Sequence, residues 1–271
     1  MKKAVIMAGG LGTRMRKSTE DKKIKLDEDQ EAVADTGIKA MVPVGRPFLD
    51  YVLSALADAG IREICLVVGP DHGRLRDYYG HEVECNRIKI DFAVQREPKG
   101  TADAVAAASD FAGDDAFIVL NSDNYYPVDA LMALCSLDGP GLIAFSRDAM
   151  ISDSNVPADR ITSFAVVETN VDDELRRVIE KPSQAMIDSL PNPVGLSMNC
   201  WRFSPTIFRA CAKIEISTRG EYELTDAVQF CIDELGTTFR VITCNAAVLD
   251  LSRREDIASV KSRLLNVSVQ L

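Results

Sequence analysis

The sequence predicts an α/β fold in layers, built around a mostly parallel sheet. Short apolar runs bounded by turn residues recur at residues 4–8, 63–68 and 116–120, and helix-length segments separate them. Strands that alternate with helices in this way form parallel sheets covered by helices. With 271 residues and 46% hydrophobic content, the chain can bury a large core.

The elements follow in order along two parts of the chain. In the first part we expect strands at residues 4–8, 63–68, 88–93, 116–120 and 142–146, and helices at residues 49–59, 73–79, 101–112 and 127–136. After about Asp148 we expect strands at residues 161–168, 175–180, 197–203 and 239–244, and helices at residues 206–212, 223–235 and 253–265. The turn at residues 170–173 favours a hairpin. No linker composition separates the parts, so we expect one domain over residues 1–265, divided into residues 1–148 and 149–265.

Bulk composition argues against several classes of protein. The formal net charge of −10 argues against nucleic acid as a partner. No stretch approaches the roughly 20 apolar residues of a membrane helix, and residues 1–8 resemble a buried strand more than an export signal. The seven cysteines are scattered without a Cys-x-x-Cys pair beside only two histidines, so we expect no zinc site. Their apolar surroundings favour a cytoplasmic location.

A glycine-rich loop follows the first strand directly, with the sequence Ala-Gly-Gly-Leu-Gly-Thr-Arg at residues 8–14. Glycines let backbone N–H groups approach an anion without interference from Cβ atoms. The loop lacks the Gly-Lys-Ser/Thr ending of a Walker loop, and Met15 occupies the third glycine position of a dinucleotide loop. A structural turn would explain the glycines, but Arg14 adds a permanent charge that suits phosphates.

A highly charged stretch at residues 17–36 lies between this loop and Lys39. We expect either a solvated surface loop with some helix or a mobile lid over a phosphate site. The lid hypothesis depends on Lys22, Lys23 and Lys25, which could approach an anion.

The segment Lys-Ala-Met-Val-Pro-Val-Gly-Arg-Pro at residues 39–47 follows. With the glycine loop, it resembles the sugar-1-phosphate nucleotidyltransferase family, which includes glucose-1-phosphate thymidylyl- and uridylyltransferases. That family has Gly-Gly-x-Gly-Thr-Arg and then Lys-Pro-x-x-Pro-Val; here Ala40 replaces the first proline, and the charged stretch lengthens the gap. The resemblance implies a three-layer Rossmann-like mixed sheet of the nucleotide-diphospho-sugar transferase type with a C-terminal sugar-binding sub-region. It implies nucleotide binding by Ala8, Gly9, Gly10, Gly12 and Thr13, and triphosphate contacts from Arg14 and Lys39.

A second motif, Gln-Arg-Glu-Pro-Lys-Gly-Thr-Ala, spans residues 95–102. From the residues alone it is a turn that leads into a helix, with Thr101 as a candidate N-cap. Gly100 would let the backbone approach a flat ligand. The motif also resembles the family segment that holds the base, which implies nucleotide binding by Gln95, Gly100 and Thr101.

Asp123 follows the predicted strand at residues 116–120. An acidic residue at the carboxyl end of a buried strand faces the crevice where α/β folds bind ligands, and its oxygens suit Mg²⁺. Asp123 could instead only form the turn. The resemblance assigns it as a metal ligand.

The second part carries the motifs of the sugar side. Residues 180–182, Glu-Lys-Pro, match a family motif in which Lys181 holds the sugar phosphate and Glu180 lies near sugar hydroxyls; a surface ion pair is the alternative. Asn199 could bond sugar hydroxyls, whereas Trp201 is expected in the core.

The motif Gly-Glu-Tyr-Glu-Leu-Thr-Asp at residues 220–226 matches the family closely. The resemblance makes Asp226 the second metal carboxylate, although acidic residues also stabilise a helix start. Asp250, after another predicted strand, could touch the ligand.

These motifs together predict an enzyme that makes an NDP-sugar and pyrophosphate from a nucleoside triphosphate and a sugar-1-phosphate with Mg²⁺. Gln95 favours dTTP or UTP, and glucose-1-phosphate is the commonest sugar substrate in the family. A homo-oligomer is considered because many relatives assemble. The alternatives are a GT-A-like glycosyltransferase that consumes an NDP-sugar, a non-catalytic nucleotide-binding regulatory module, and a dinucleotide dehydrogenase, which the loop spacing disfavours.

Overall fold

The computed structural model describes residues 1–17 and 26–271 and confirms the α/β class. The strands are β1 (Lys3–Met7), β2 (Glu63–Val68), β3 (Lys89–Val94), β4 (Phe117–Asn121), β5 (Asn124–Tyr125), β6 (Gly141–Ser146), β7 (Ala165–Thr169), β8 (Leu175–Ile179), β9 (Gly195–Phe203), β10 (Arg240–Cys244) and β11 (Leu249–Asp250). The α-helices are α1 (Thr13–Arg16), α2 (Glu28–Thr36), α3 (Phe48–Asp58), α4 (Gly73–Asp77), α5 (Thr101–Ala106), α6 (Ser109–Ala112), α7 (Val128–Cys135), α8 (Arg147–Asp153), α9 (Gln184–Ser189), α10 (Thr206–Cys211), α11 (Leu224–Asp233) and α12 (Asp256–Leu264).

One nine-stranded sheet runs through both parts of the chain. Its main path is β10-β6-β9-β4-β1-β2-β3, and β7 and β8 attach beside β9. The strands β4, β1, β2 and β3 are parallel, as are β6 and β10. β9 lies antiparallel between β4 and β6, so it joins the two parallel groups into a mixed sheet.

Helices cover both faces of the sheet, which gives three layers. Alternate residues of β1 point to opposite faces, so Ala4 and Ile6 belong to one apolar cluster and Val5 to the other. The first cluster contains residues of α3, α7 and α12, and the second contains residues of α5, α10 and α11. Trp201 is fully buried in the second cluster and stacks on Phe203 with ring centroids 5.6 Å apart. Trp201 therefore lies in the core, as predicted.

Most predicted elements differ from the observed ones by a few residues at their ends, and three differ in start, continuity or type. Residues 158–163 form a 3₁₀-helix, so β7 begins at Ala165 and not at residue 161. The predicted helix at residues 101–112 is divided into α5 and α6. α4 continues as a π-helical turn over Tyr78–Glu82. The hairpin is confirmed, because β7 and β8 pair antiparallel across residues 170–174.

The charged stretch at residues 17–36 is only partly described. Lys22, Lys23 and Lys25, on which the lid hypothesis depends, lie outside the described residues. The described remainder contains the expected helix, α2 (Glu28–Thr36), most of whose side chains are exposed. Asp27 and Gln30 form a reciprocal capping box at its start, and Ala34 is buried in the core. Within residues 1–17 and 26–271, no helix has both the length and the apolar character needed to cross a membrane.

Candidate active site

A cavity of about 410 Å³ opens at the carboxyl ends of β1 and β4. Ligands of open α/β sheets bind at this edge, because the loops that leave parallel strands meet there. Many of the predicted site residues line the cavity. They are Ala8, Gly9, Gly10, Gly12, Thr13, Lys39, Gln95, Gly100, Thr101 and Asp123.

The glycine loop is held in shape by close backbone packing. Gly12 has a left-handed φ of 59°, and a Cβ there would overlap the backbone of Gly37. The buried side chain of Arg254 fixes the following helix, since its Nε donates to the Met15 carbonyl at 2.8 Å. Arg14 is exposed, and its positive charge acts on Lys39. The glycine loop therefore lines the cavity with its backbone, and Lys39, on which the charge of Arg14 acts, places a cation at the same cavity.

The other wall of the cavity is formed where two distant loops pack together. Gly100 has a φ of 120°, and a Cβ there would overlap the backbone of Tyr222. The Ala102 N–H donates to the Tyr222 carbonyl at 2.9 Å, and this packing brings Glu221 to the cavity. Glu221 was not predicted as a site residue, although it lies inside the recognised motif.

Thr101 does not cap the helix that it begins. The N-cap of α5 is Gly100, without a side-chain cap. The Thr101 hydroxyl accepts the N–H of Leu224 at 2.8 Å, at the first residue of α11. The predicted N-cap is therefore wrong: Thr101 occupies the first helical position, and its oxygen satisfies a free N–H group of another helix.

A carboxylate pair lies at the edge of the cavity. The two-residue ladder between β5 and β11 places Asp250 opposite Asn124, and the Leu251 N–H donates to the Asp123 carbonyl at 2.8 Å. Lys39 Nζ lies 2.7 Å from Asp123 Oδ2. Burial, followed by repulsion from Asp123, raises the pKa of Asp250 to about 6. Burial opposes the charge on Lys39, but attraction to Asp123 and Asp250 outweighs it and raises the pKa of Lys39.

Asp250 is only 4% exposed, and polar partners hold both of its oxygens. Asn124 Nδ2 and Ser252 Oγ donate to Oδ1 at 3.1 and 2.9 Å. Arg160 donates to Oδ2 at 2.8 Å and to Asp256 at 2.6 Å. Arg160 therefore shares its charge between two buried carboxylates.

The structure does not bring Asp226 to Asp123. Asp226 is exposed on the first turn of α11 and lines a separate surface groove that includes Phe230. Leu224, Ala227 and Val228 turn the apolar face of α11 inward, so the intervening residue points outward. Asp226 therefore does not line the cavity with Asp123, and Asp250 is the carboxylate on which the charge of Asp123 acts.

The predicted sugar-side residues lie outside the main cavity. None of Glu180, Lys181 and Asn199 lines the main cavity. Desolvation, followed by the Glu223 carboxylate, raises the pKa of Glu180, and Arg219 and Lys181 oppose the shift. Arg219 pairs with Glu223 at 3.2 Å.

Asn199 is connected to the cavity by a relay of amides. It accepts from Trp201 Nε1 at 3.3 Å and donates to Asn121 Oδ1 at 3.4 Å. The Asn121 amide then donates to Asn124 Oδ1 at 3.0 Å. Asn121 itself lines the cavity. The relay therefore links Asn199 to Asn124, which donates to Asp250.

The carboxylate pair fits a hard divalent cation. Two carboxylates that repel each other beside this cavity suit Mg²⁺, which takes one or two carboxylates and completes its shell with other oxygens. In the described part of the chain, no three Asp, Glu, His or Cys side chains cluster as metal ligands would. Asp123 and Asp250 are thus candidates for a site that also needs ligand oxygens.

A family model described as nucleotidyl transferase matches residues 32–260. The chain belongs to this nucleotidyltransferase family. It is 30% identical to a UTP–glucose-1-phosphate uridylyltransferase of Haloferax volcanii, with 98% of each chain covered. It is 33% identical to a glucose-1-phosphate thymidylyltransferase of Streptomyces griseus over 85% of this chain, but this match spans only 57% of that relative.

The fold of the nucleotidyltransferase is also that of solved structures. A UDP-glucose pyrophosphorylase crystallised with UDP-glucose superimposes with a TM-score of 0.74, at 16% identity, over 99% of this chain and 100% of that chain. The predicted enzyme class and fold are confirmed. The glycosyltransferase and regulatory-module alternatives are not favoured by any of these matches.

Proposed function

We propose that this nucleotidyltransferase joins a nucleoside triphosphate to a sugar-1-phosphate, forming an NDP-sugar and releasing pyrophosphate. The observation that carries the proposal is the meeting of the glycine loop, the segment at residues 95–101 and Asp123 at one cavity. The named functions of the two relatives support UTP or dTTP as the nucleotide and glucose-1-phosphate as the sugar.

The reaction needs charge placement more than proton transfer. A phosphate oxygen of the sugar-1-phosphate forms a bond to the α-phosphorus, and the bond from that phosphorus to the β-bridging oxygen breaks. Pyrophosphate leaves with the electron pair, in line with the attack. Because the attacking oxygen is already anionic near neutral pH, no general base is required. The protein positions the reactants and neutralises negative charge.

Each predicted residue has a role in this scheme. The loop residues Ala8, Gly9, Gly10, Gly12 and Thr13 would bind the nucleotide, with Arg14 and Lys39 as counter-charges to its phosphates. Gln95, Gly100 and Thr101 would hold the base. Lys181 would bind the sugar phosphate, and Glu180 and Asn199 the sugar hydroxyls.

Asp123 and Asp250, in place of Asp123 and Asp226, would hold Mg²⁺. The pair has hard oxygen donors. Burial, and after it the negative charge of Asp123, raises the pKa of Asp250, and a cation would relieve the repulsion between the two carboxylates. When bound, the cation supplies neutralisation of the triphosphate charge. Lys39, ion-paired with Asp123, supplies a second positive charge at the same edge.

The experiment that tests the proposal is a matrix of five nucleoside triphosphates against a panel of sugar-1-phosphates, with detection of pyrophosphate. We expect the fastest release with UTP or dTTP and glucose-1-phosphate. Absence of pyrophosphate from every combination would overturn the proposal. Transfer of sugar from an NDP-sugar to an acceptor, with release of NDP, would identify a glycosyltransferase instead.

The proposal extends to the cellular compartment and the oligomeric state of the enzyme. Its seven cysteines are free, which supports a reducing, cytoplasmic compartment where NTPs and sugar phosphates are found. Assembly into a homo-oligomer stays a prediction, to be checked by light scattering.

A further inference from the structure

The side-chain amide of Gln95 lies buried beside the cavity with both of its donors occupied. Its Nε2 donates to the Gly100 carbonyl at 2.9 Å and to Asp103 Oδ2 at 2.8 Å. Gln95 is 7% exposed, and its backbone N–H donates to the Val68 carbonyl at 2.9 Å, so the residue is fixed at both ends.

These two partners determine which way the amide faces. An amide has two N–H donors and one acceptor oxygen, whereas a backbone carbonyl and an ionised carboxylate can only accept. A reversed Gln95 would place its Oε1 against the oxygens of Gly100 and Asp103, and its two N–H groups would lose these acceptors. The observed orientation leaves Oε1 toward the glycine loop, 3.2 Å from the position that a Cβ of Gly9 would occupy.

Asp103 contacts the side-chain amide of Gln95 from outside the main cavity. It does not line the main cavity; it lines a separate cleft with Arg96 and Lys99. It lies on the first turn of α5, three residues after Gly100. Because Asp103 does not line the cavity, we expect its effect on a base bound there to pass through its hydrogen bond to the Gln95 amide.

We propose that Asp103 is a specificity-determining positioning residue, which fixes Gln95 as a hydrogen-bond acceptor toward the nucleobase. This inference rests on the proposed function, since it takes the cavity as the nucleotide site. Uracil and thymine carry an N–H at ring position N3, whereas cytosine carries a lone pair there. A buried oxygen that meets N3 accepts a hydrogen bond from the first two bases and repels cytosine. Sites built on such a bond discriminate strongly, because the wrong partner leaves a buried polar group unpaired.

The test compares Asp103→Asn with Asp110→Asn, which removes an exposed carboxylate from the neighbouring helix α6. An asparagine amide can donate to a reversed Gln95, so both amide orientations become available in the first variant. Binding of UTP and CTP in magnesium buffer is measured by calorimetry, and kcat/KM is measured for both with glucose-1-phosphate.

For the wild type we expect tighter binding of UTP than of CTP. In Asp103→Asn we expect the UTP-to-CTP ratio to fall at least tenfold, mainly through KM, while Asp110→Asn keeps the wild-type ratio. Equal losses for both nucleotides, an unchanged ratio, or a wild type that does not distinguish them would overturn the role of Asp103. A thermal unfolding curve for each variant checks folding, and Asp103→Ala gives a second test, with a smaller fall because Gly100 still orients the amide.

The two proposals fail in different ways. If the wild type binds UTP selectively but releases no pyrophosphate, the proposed reaction is wrong while the role of Asp103 is still measured by binding. If pyrophosphate is released but the ratio is unaffected by Asp103→Asn, only the role of Asp103 is wrong.

Discussion

The two parts of this chain contribute to the candidate active site by different physical means. Residues 1–148 contribute mainly backbone, in loops that leave the ends of parallel strands at one edge of the sheet. Residues 149–265 contribute buried charges, of which Arg160 between Asp250 and Asp256 is the clearest case. A backbone cradle depends on local conformation, whereas a buried ionic cluster exists only when distant segments meet. We therefore expect substitutions in the second part to change charge balance and stability together.

The largest expected effect separates the two aspartates that could pair with Asp123. Asp250→Asn should reduce kcat on the order of 10³-fold or more, as should Asp123→Asn, because a neutral amide holds a divalent cation poorly. Asp226→Asn should change kcat less than about tenfold, since that side chain is exposed and lies in another groove. Pyrophosphate release at saturating magnesium measures all three. Near-normal turnover of Asp250→Asn would restore Asp226 as the candidate ligand.

The second effect concerns stability. Arg160→Met leaves the carboxylates of Asp250 and Asp256 buried without their shared cation, so the free energy of unfolding should fall by about 3–5 kcal/mol. Its control is Arg177→Met, which breaks the more exposed pair with Glu168 and should cost no more than about 1 kcal/mol. Urea unfolding in the presence of a chelator gives both values. Equal losses would show that the buried cluster contributes no more than a surface pair.

The third effect is a pH dependence of cation binding. The pKa of Asp250 is raised to about 6, so below that pH a proton competes with the cation, and the apparent Kd for Mg²⁺ should rise by up to about tenfold per pH unit. In the absence of the cation, the contribution of Asp250 to folding stability changes with pH in the opposite direction to cation affinity. A carboxyl whose folded-state pKa exceeds its ordinary value binds extra protons in the folded state, so its contribution to stability falls as pH rises between about 4 and 6.

Titration with Mg²⁺ from pH 5 to 8 checks this dependence. Asp226→Asn should keep the wild-type profile, and Asp250→Asn should lose it. A wild-type affinity that does not change over this range would contradict the assignment.

The smallest effect lies at the contact between the two parts. Thr101→Val removes the hydroxyl that accepts the Leu224 N–H at the start of α11, so the free energy of unfolding should fall by about 1 kcal/mol. Thr225→Val changes the next residue of that helix, whose hydroxyl has no hydrogen bond among the described residues, and should have a smaller effect. The Tm of each variant measures this difference. Equal shifts in Tm would show that the hydrogen bond from Leu224 to Thr101 contributes little to stability.

Much of the first part could be predicted because its chemistry is local. The glycine loop, Gln95 and Asp123 each follow a strand of one parallel set, and the carboxyl ends of such strands converge. Some helix was expected in the charged stretch at residues 17–36, and the capping signature of Asp27 and Gln30 could have placed its start. Strand β7 was predicted too early, because Ile161 is apolar but buried from a 3₁₀-helix.

The second part could not be predicted in the same way. The partnership of Asp250 with Asp123 depends on a two-residue ladder between β5 and β11, which leaves no local pattern. Arg160 lies 90 residues from Asp250, and no motif connects them. The position of Asp226 could have been inferred: Leu224, Ala227 and Val228 follow a helical period, which places the aspartate on the outer face.

The ladder between β5 and β11 can form only after both of its strands have been synthesised. Asn124 and Asp250 are 126 positions apart, so at typical elongation rates they leave the ribosome on the order of ten seconds apart. During that interval the nascent polypeptide carries the glycine loop and Asp123 without the second carboxylate. The pair of carboxylates, Asp123 and Asp250, is thus complete only after Asp250 has been synthesised.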